Sequence, residues 1–399
     1  MPTAGGPNTL GESNLVFAYD TGDVKNSYKG QPTVNTFGTY PTDLYSWASS
    51  GNACTLSRDT ISSPVGSTPL KMVTTGNDAY TSTYNRTGNN ISAASSGQTW
   101  TISVWAKANQ NTTGQIFHFG ANSSGNIIDF SATAISLTTE WTRYTYTRTF
   151  TNGNVVAIQA RLDGANTFQS GDIIWWDGLQ VEQKSYATQF TTGTRSATQG
   201  LLPLIGNSTL DLTNMSFDSN AKMSFDGTND YIAAGNPTDY RMGVNDFTLE
   251  CVMKQSKTTG HCLLETRGNS LVGYLWVHNY YNTGQSCLFL NYGGNQYLYF
   301  QDGGFVATTT TQYYHMAIVV NRAGNTISFY VNGNKAGNDV AIHSNSISPT
   351  GGDIYRVGFD LGGSPWQGEI PVFRHYNRTL SGQEIKQNYQ QYKTRFNLS

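Results

Sequence analysis

The residues best equipped for chemistry in this chain are aromatic. Trp276, His278, Tyr280, Tyr281, Tyr292 and Tyr297 fall close together in its C-terminal half. Flat rings stack on the apolar faces of sugars, and nearby amides bond the hydroxyls. Tyr280 and Tyr281 have such amides in Asn279 and Asn282. A second set, Trp105, Trp141, Trp175 and Trp176, lies in the N-terminal half. Sandwich cores also consume aromatics freely, and for Trp105 and Trp175 core packing is the expected role. Asp226 and Asp230 sit in a turn-rich segment, where they are candidates for calcium, which takes several oxygens. Turn capping is the competing role.

Catalysis finds little support, and no residue is assigned to it. No G-x-S-x-G, H-E-x-x-H or phosphate-binding loop occurs. Six histidines form no ligand spacing, and His315 lies in an alternating run that suits a structural role. The four cysteines form no C-x-x-C pair. Cys251, Cys262 and Cys287 read as buried thiols in strands.

These residues need strands to position them, and the composition supplies strands. Of 399 residues 42 are Gly, 13% are aromatic and only 13% are charged. Aromatics at this level exclude a disordered chain. Abundant Thr, Gly, Asn and Tyr favour strands and turns over helices. A net charge of −2 gives no basic footprint for nucleic acid. No apolar run is long enough to insert as a membrane-spanning helix. Met1 to Gly6 lack the cationic and apolar regions of a secretion signal. The expectation is a protein assembled in the cytosol and released by lysis.

Period-two runs separated by Gly and Asn turns predict an all-β fold: two tandem β-sandwich domains after an extended N-terminal arm, with one short C-terminal helix. The expected divisions are an arm at 1–52, a first sandwich at 53–190, a linker at 191–206 and a second sandwich at 207–399. In the arm, Leu15, Val16, Phe17 and Tyr19 form an apolar patch too small to make a core, to be docked on a partner or draped over its own domain. In the first sandwich, Trp100, Ile102, Val104 and Ala106 share a face, as do Ile173, Trp175, Leu179 and Val181. In the second, Asn332-Gly333 marks a tight turn. Ser381 with Glu384 forms a capping box before Ile385, Tyr389 and Tyr392, which recur at helical spacing.

Several segments of the second sandwich resemble the laminin-G and concanavalin-A-like jelly-roll superfamily. They are Phe225-Asp226-Gly227-Thr228-Asn229-Asp230-Tyr231-Ile232, Asp246 to Val252, Tyr314 to Val320, Ile327 to Gly333, and Gly368-Glu369-Ile370 through Tyr376-Asn377-Arg378-Thr379-Leu380-Ser381. Pro371 stands where many members have Asp. The superfamily includes glucanases with an E-x-D-x-x-E strand, whose carboxylates flank the scissile bond. Glu250, Glu265 and Glu369 all lack partners at those offsets. Thr101 to Lys107 and Trp176 to Glu182 are similar to galactose-binding-like carbohydrate modules. That likeness makes Asp177 a candidate calcium ligand. The connector Leu179 to Phe190, followed by Gly193-Thr194-Arg195-Ser196, resembles bacteriophage virion proteins that pair such modules.

The resemblance implies a virion surface protein, a head fibre or decoration or a tail fibre. Its arm would anchor to other virion proteins. The sandwiches, in a homo-oligomer such as a trimer, would bind host or environmental polysaccharide. Calcium is the one cofactor raised. The alternatives are a polysaccharide depolymerase or a bacterial surface lectin.

Overall fold

The structure is a computed structural model describing residues 12–37, 54–65, 68–75, 92–163, 167–206, 208–235, 237–268, 272–280, 285–292, 295–304, 306–348 and 354–399. Among the described residues it is all-β, with one C-terminal α-helix, Gly382–Phe396. The chain divides into two compact units, one of them discontinuous: residues 1–32, 196–218 and 222–399. The other comprises 33–195 with 219–221. The sandwiches are therefore not strictly in tandem: one is inserted after the first strand of the other.

Among the described residues, the discontinuous unit has a nine-stranded and a seven-stranded sheet. The strand Gln367–Tyr376 is central to the first, pairing antiparallel with Phe247–Gln255 on one side. On its other side it pairs with Leu15–Asp20 and Met223–Asp226. In Phe247–Gln255 the odd residues Phe247, Leu249, Cys251 and Met253 enter the core between the sheets. From the seven-stranded sheet come Leu263, Tyr274, Trp276 and Leu288. Period two thus sends one residue set inward, as the sequence anticipates.

The patch expected to anchor the chain is part of this core. Phe17 and Tyr19 are fully buried, Leu15 is 5% exposed and Val16 is half-buried. Phe17 lies 5.0 Å from the Tyr355 ring, and Tyr19 donates to the Ile370 carbonyl at 2.9 Å. Burying an aromatic ring contributes about 1.5–3 kcal/mol. These residues therefore cannot be a free partner-binding arm. The strand hydrogen bonds and apolar burial that the segment lacks locally come from a strand some 350 residues away. The expected linker divides similarly. Leu201 is fully buried and bridges Tyr28, and Leu204 N–H donates to Ala18 O.

In the inserted unit a five-stranded sheet orders Cys54–Arg58, Leu70–Thr74, Ile173–Glu182, Thr99–Ala108 and Thr142–Thr149. A four-stranded sheet contains Ser92–Ala93, Ala157–Asp163, Thr112–Ala121 and Ile127–Leu137. The core includes Trp100, Ile102, Val104, Ile158, Trp176 and Val181. The two passages of the chain meet as a short ladder, Thr33–Val34 against Thr194–Arg195. Asn35 ties that end together. Its Nδ2 donates to Leu179 O and Thr191 O, and its Oδ1 accepts from Val181 N–H. The buried Glu182 carboxylate accepts from Thr33 Oγ1, Gln180 Nε2 and Thr188 N–H. The connector seen in the sequence is this satisfied network, whose bonds offset the burial of a charge.

Candidate functional site

Strand alternation decides which aromatic residues can meet a ligand. Gly273–His278 lies between neighbours at the centre of its sheet and is buried throughout. Trp276 and His278 are therefore core residues, which corrects their assignment to a sugar contact. Trp276 Nε1 donates to Ser286 Oγ at 3.3 Å, and His278 Nε2 donates to the Ala307 carbonyl at 2.9 Å. Burial holds the His278 pKa down at about 4, so the ring is neutral near pH 7.

Tyr280 is half-buried, edge-on to Phe289 with centroids 5.5 Å apart. Tyr281 lies outside the described residues. Tyr292 and Tyr297 come together: their rings stack 5.1 Å apart at 9°, and their hydroxyls are 3.0 Å apart. His343 lies 4.7 Å from each ring. Its Nε2 donates to Leu290 O at 3.0 Å, which fixes the tautomer. This half-buried cluster offers little free ring surface for stacking, because the tyrosines already cover one face of each other.

The inserted unit presents a more open aromatic face. In Thr99–Ala108 the even residues point into the core, while Trp105 and Lys107 remain half-buried on the outer face. On the neighbouring strand Ile174 and Trp176 point inward, leaving Trp175 outside. The sequence grouping of Trp175 with Leu179 and Val181 fails because the register shifts between Asp177 and Gln180. A bulge there moves the later residues to the opposite parity. Gly178 takes φ +60° in the bulge, close to Trp105.

Lys107 Nζ lies 5.2 Å from the Trp175 ring and 5.9 Å from the Trp141 ring. Both indoles are fixed at their polar edges. Trp175 Nε1 donates to Asp59 Oδ2 at 2.9 Å, and Trp141 Nε1 donates to Ser62 O at 3.0 Å. Lys71 is 3.5 Å from the same Asp59 oxygen. The Trp175 N–H, first among several causes, holds the Asp59 carboxyl below its ordinary pKa, so it is ionised near neutral pH. The result is two oriented ring faces, an ammonium donor and a carboxylate acceptor on a rigid sheet. Such a surface can stack on a pyranose and bond its hydroxyls with little ordering cost. Trp141 and Trp175 were visible as types in the sequence; their meeting depends on the pairing of three strands.

The candidate metal residues do not converge. No group of three or more His, Cys, Asp or Glu side chains able to hold a metal ion occurs among the described residues. Asp177 is buried in the bulge and accepts from Gly178 N–H. Asp230 accepts from Asp226 N–H and Ser216 Oγ, while Asp226 accepts from Thr228 N–H. Both therefore cap turns.

The three notable glutamates are also separate. Glu250 is buried with His315 and Asn388, at 2.7 and 3.0 Å. Glu265 is held at both oxygens by Arg267, and Glu369 by Tyr313 and Lys254. All four cysteines are free thiols. Burial pushes Cys287 up to about 12 and Cys54 to about 11, leaving both protonated near neutral pH.

Residues 226–386 match the Laminin_G_3 family model, described as the concanavalin A-like lectin/glucanases superfamily. That segment is a jelly-roll domain of this superfamily. No curated protein matches the chain. Similar solved structures include the binding domain of Paraclostridial Mosquitocidal Protein 1, at 14% identity and a TM-score of 0.38, covering 47% of this chain and 48% of that one. The Botulinum Neurotoxin serotype G binding domain is also 14% identical, with a TM-score of 0.38 and 48% of each chain covered. A heptameric SAP-like pentraxin from Limulus polyphemus is 15% identical, with a TM-score of 0.32, covering 41% of this chain and 78% of that one. The chain thus spans about half the length of the first two. Likenesses at this level say nothing of what it binds.

Proposed function

We propose that this protein binds polysaccharide without chemical conversion, as a surface component of a bacteriophage particle. The observation that carries the binding reading is the Trp141–Lys107–Trp175 face, with Asp59 at its edge. The lectin-type jelly roll in residues 226–386 supports it. The missing E-x-D-x-x-E strand, with Glu250, Glu265 and Glu369 each engaged by different partners, favours binding over retaining hydrolysis, which needs two carboxylates about 5–5.5 Å apart. The virion assignment rests on the likeness of the Leu179 to Ser196 connector to that of virion proteins. Display of many copies, as homo-oligomers among other virion proteins, would turn weak sites into useful avidity.

A glycan array probed with the full chain tests the binding. Trp175→Ala should reduce retention on the best glycan about thirtyfold, equivalent to ~2 kcal/mol for a central aromatic contact. Its folded-state circular dichroism should be unchanged. Equal retention by the variant and the parent would overturn this site. Gold-labelled antibody on particles from a lysed culture tests the location. Label at head, collar or tail supports it; unlabelled particles with the protein free in the lysate refute it.

A further inference from the structure

The discontinuous unit contains a second place where a ligand fits, away from the stacked tyrosines. A cavity of about 220 Å³ is lined by Tyr28, Lys222, Tyr313, Glu369, Arg395 and Phe396, among others. Tyr313 and Phe396 form one wall, their ring centroids 5.1 Å apart at 56°. The Tyr313 hydroxyl donates to Glu369 Oε2 at 2.6 Å, and the Lys254 ammonium lies 5.5 Å from the Tyr313 ring. The aromatic wall is therefore held in one orientation.

The charges around this cavity are largely satisfied in pairs. Arg395 grips both oxygens of Asp20, at 2.6 and 2.7 Å, and its guanidinium lies 4.5 Å from the Phe396 ring. A Cβ at Gly22 would collide with that guanidinium, so glycine leaves room for the fork. Glu369 is matched by Lys254 at 3.5 Å. Lys222 is exposed, and no ion pair involves it among the described residues. With Arg395 matched by Asp20 and Glu369 by Lys254, the Lys222 ammonium is the charge of the lining that is outside an ion pair among the described residues, while the Asp218 carboxylate accepts from the Lys222 backbone N–H at 2.9 Å.

We infer that this cavity binds one acidic sugar residue, a hexuronate. Its apolar ring face lies on Tyr313 and Phe396, and its carboxylate pairs with Lys222. Aromatic faces suit the pyranose C–H groups, while the unmatched ammonium selects a carboxylate over a neutral hexose. The cavity is small enough to take a single residue. This inference does not rest on the tryptophan face, which belongs to the other unit.

Saturation-transfer difference NMR with the full chain and D-galacturonate at pH 7 tests it. Signal should appear on the ring protons. The galacturonate methyl ester, which removes the charge and keeps the ring, should bind at least tenfold more weakly. Lys222→Gln should lower galacturonate affinity about tenfold and remove the preference for acid over ester, with the fold intact because the site is exposed. Repeating the titrations in a Trp175→Ala background, which removes the other candidate surface, should still show the preference for acid over ester and its loss on Lys222→Gln, which separates failure here from failure at the other surface. Absence of transfer to galacturonate, equal binding of acid and ester by the parent chain, or parental behaviour of Lys222→Gln overturns the inference. Loss of galacturonate binding in a folded Trp175→Ala variant also overturns it, by moving the site.

Discussion

The outer faces of the two principal sheets carry similar residues and have different fates. On the nine-stranded sheet, Glu250, His315 and Arg374 face outward and are buried beneath the helix Gly382–Phe396. Asn388 reaches from that helix to the Glu250 carboxylate, and Tyr392 lies 5.5 Å from the Arg374 guanidinium. On the five-stranded sheet, Lys107, Trp141 and Trp175 also face outward, but each remains half-buried. A covered polar face must satisfy every charge internally and becomes structural. A face left partly in water keeps donors and ring surfaces for a ligand. Cover decides between these fates more than residue type does.

Acid should separate the two units most strongly. Burial holds His261, His278 and His375 down at about 2, 4 and 3 in the discontinuous unit. In the inserted unit it holds His118 at about 3. Each native ring stays neutral while the unfolded chain takes up protons below about 6.5. The stability these rings contribute is thus complete above about pH 6.5 and falls as pH drops toward the folded values. With three such rings against one, the loss from these groups should be about three times steeper in the discontinuous unit than in the inserted one. Calorimetry between pH 7 and 4.5 should show the former transition moving down faster. Parallel movement would break the comparison.

Substitutions sharpen it next. Glu250→Ala removes the acceptor of His315 and Asn388 beneath the helix, while Arg374 keeps Glu12 at 3.2 Å, and should cost about 1–3 kcal/mol in urea unfolding. Lys107→Ala, on the open face, should cost less than about 1 kcal/mol while weakening glycan retention. Equal stability losses would show that the open face is also structural. A comparably small effect is expected at the covering helix itself. Ser381 Oγ accepts from Glu384 N–H, and Glu384 accepts from Ser381 N–H. Ser381→Ala should cost about 1 kcal/mol, read from the same unfolding curves. A cost near zero would mean that packing alone seats the helix.

Much of the fold was legible because alternation and capping are local. The run Phe247–Gln255, the Asn332-Gly333 turn and the Ser381 cap all lie where the sequence suggests. The candidate site was less legible. Trp276 and His278 have the right types for binding but sit in a central strand with both faces covered. Trp175 was assigned to the core because the bulge at Asp177–Gln180 gives little warning in the residue pattern. The tyrosine pair was recoverable because Tyr292 and Tyr297 are near neighbours across a short turn.

The sequence by itself determined an all-β chain, a lectin-type jelly roll and a closing helix. Periodicity, turn chemistry and capping act over a few residues, and they survive without knowledge of partners. Tertiary structure alone decided that Leu15–Asp20 completes a distant sheet and that the other sandwich is an insertion. It also decided which tryptophans face water. Strand pairing between remote segments depends on the summed burial and hydrogen bonding of the whole unit. No local pattern records that sum.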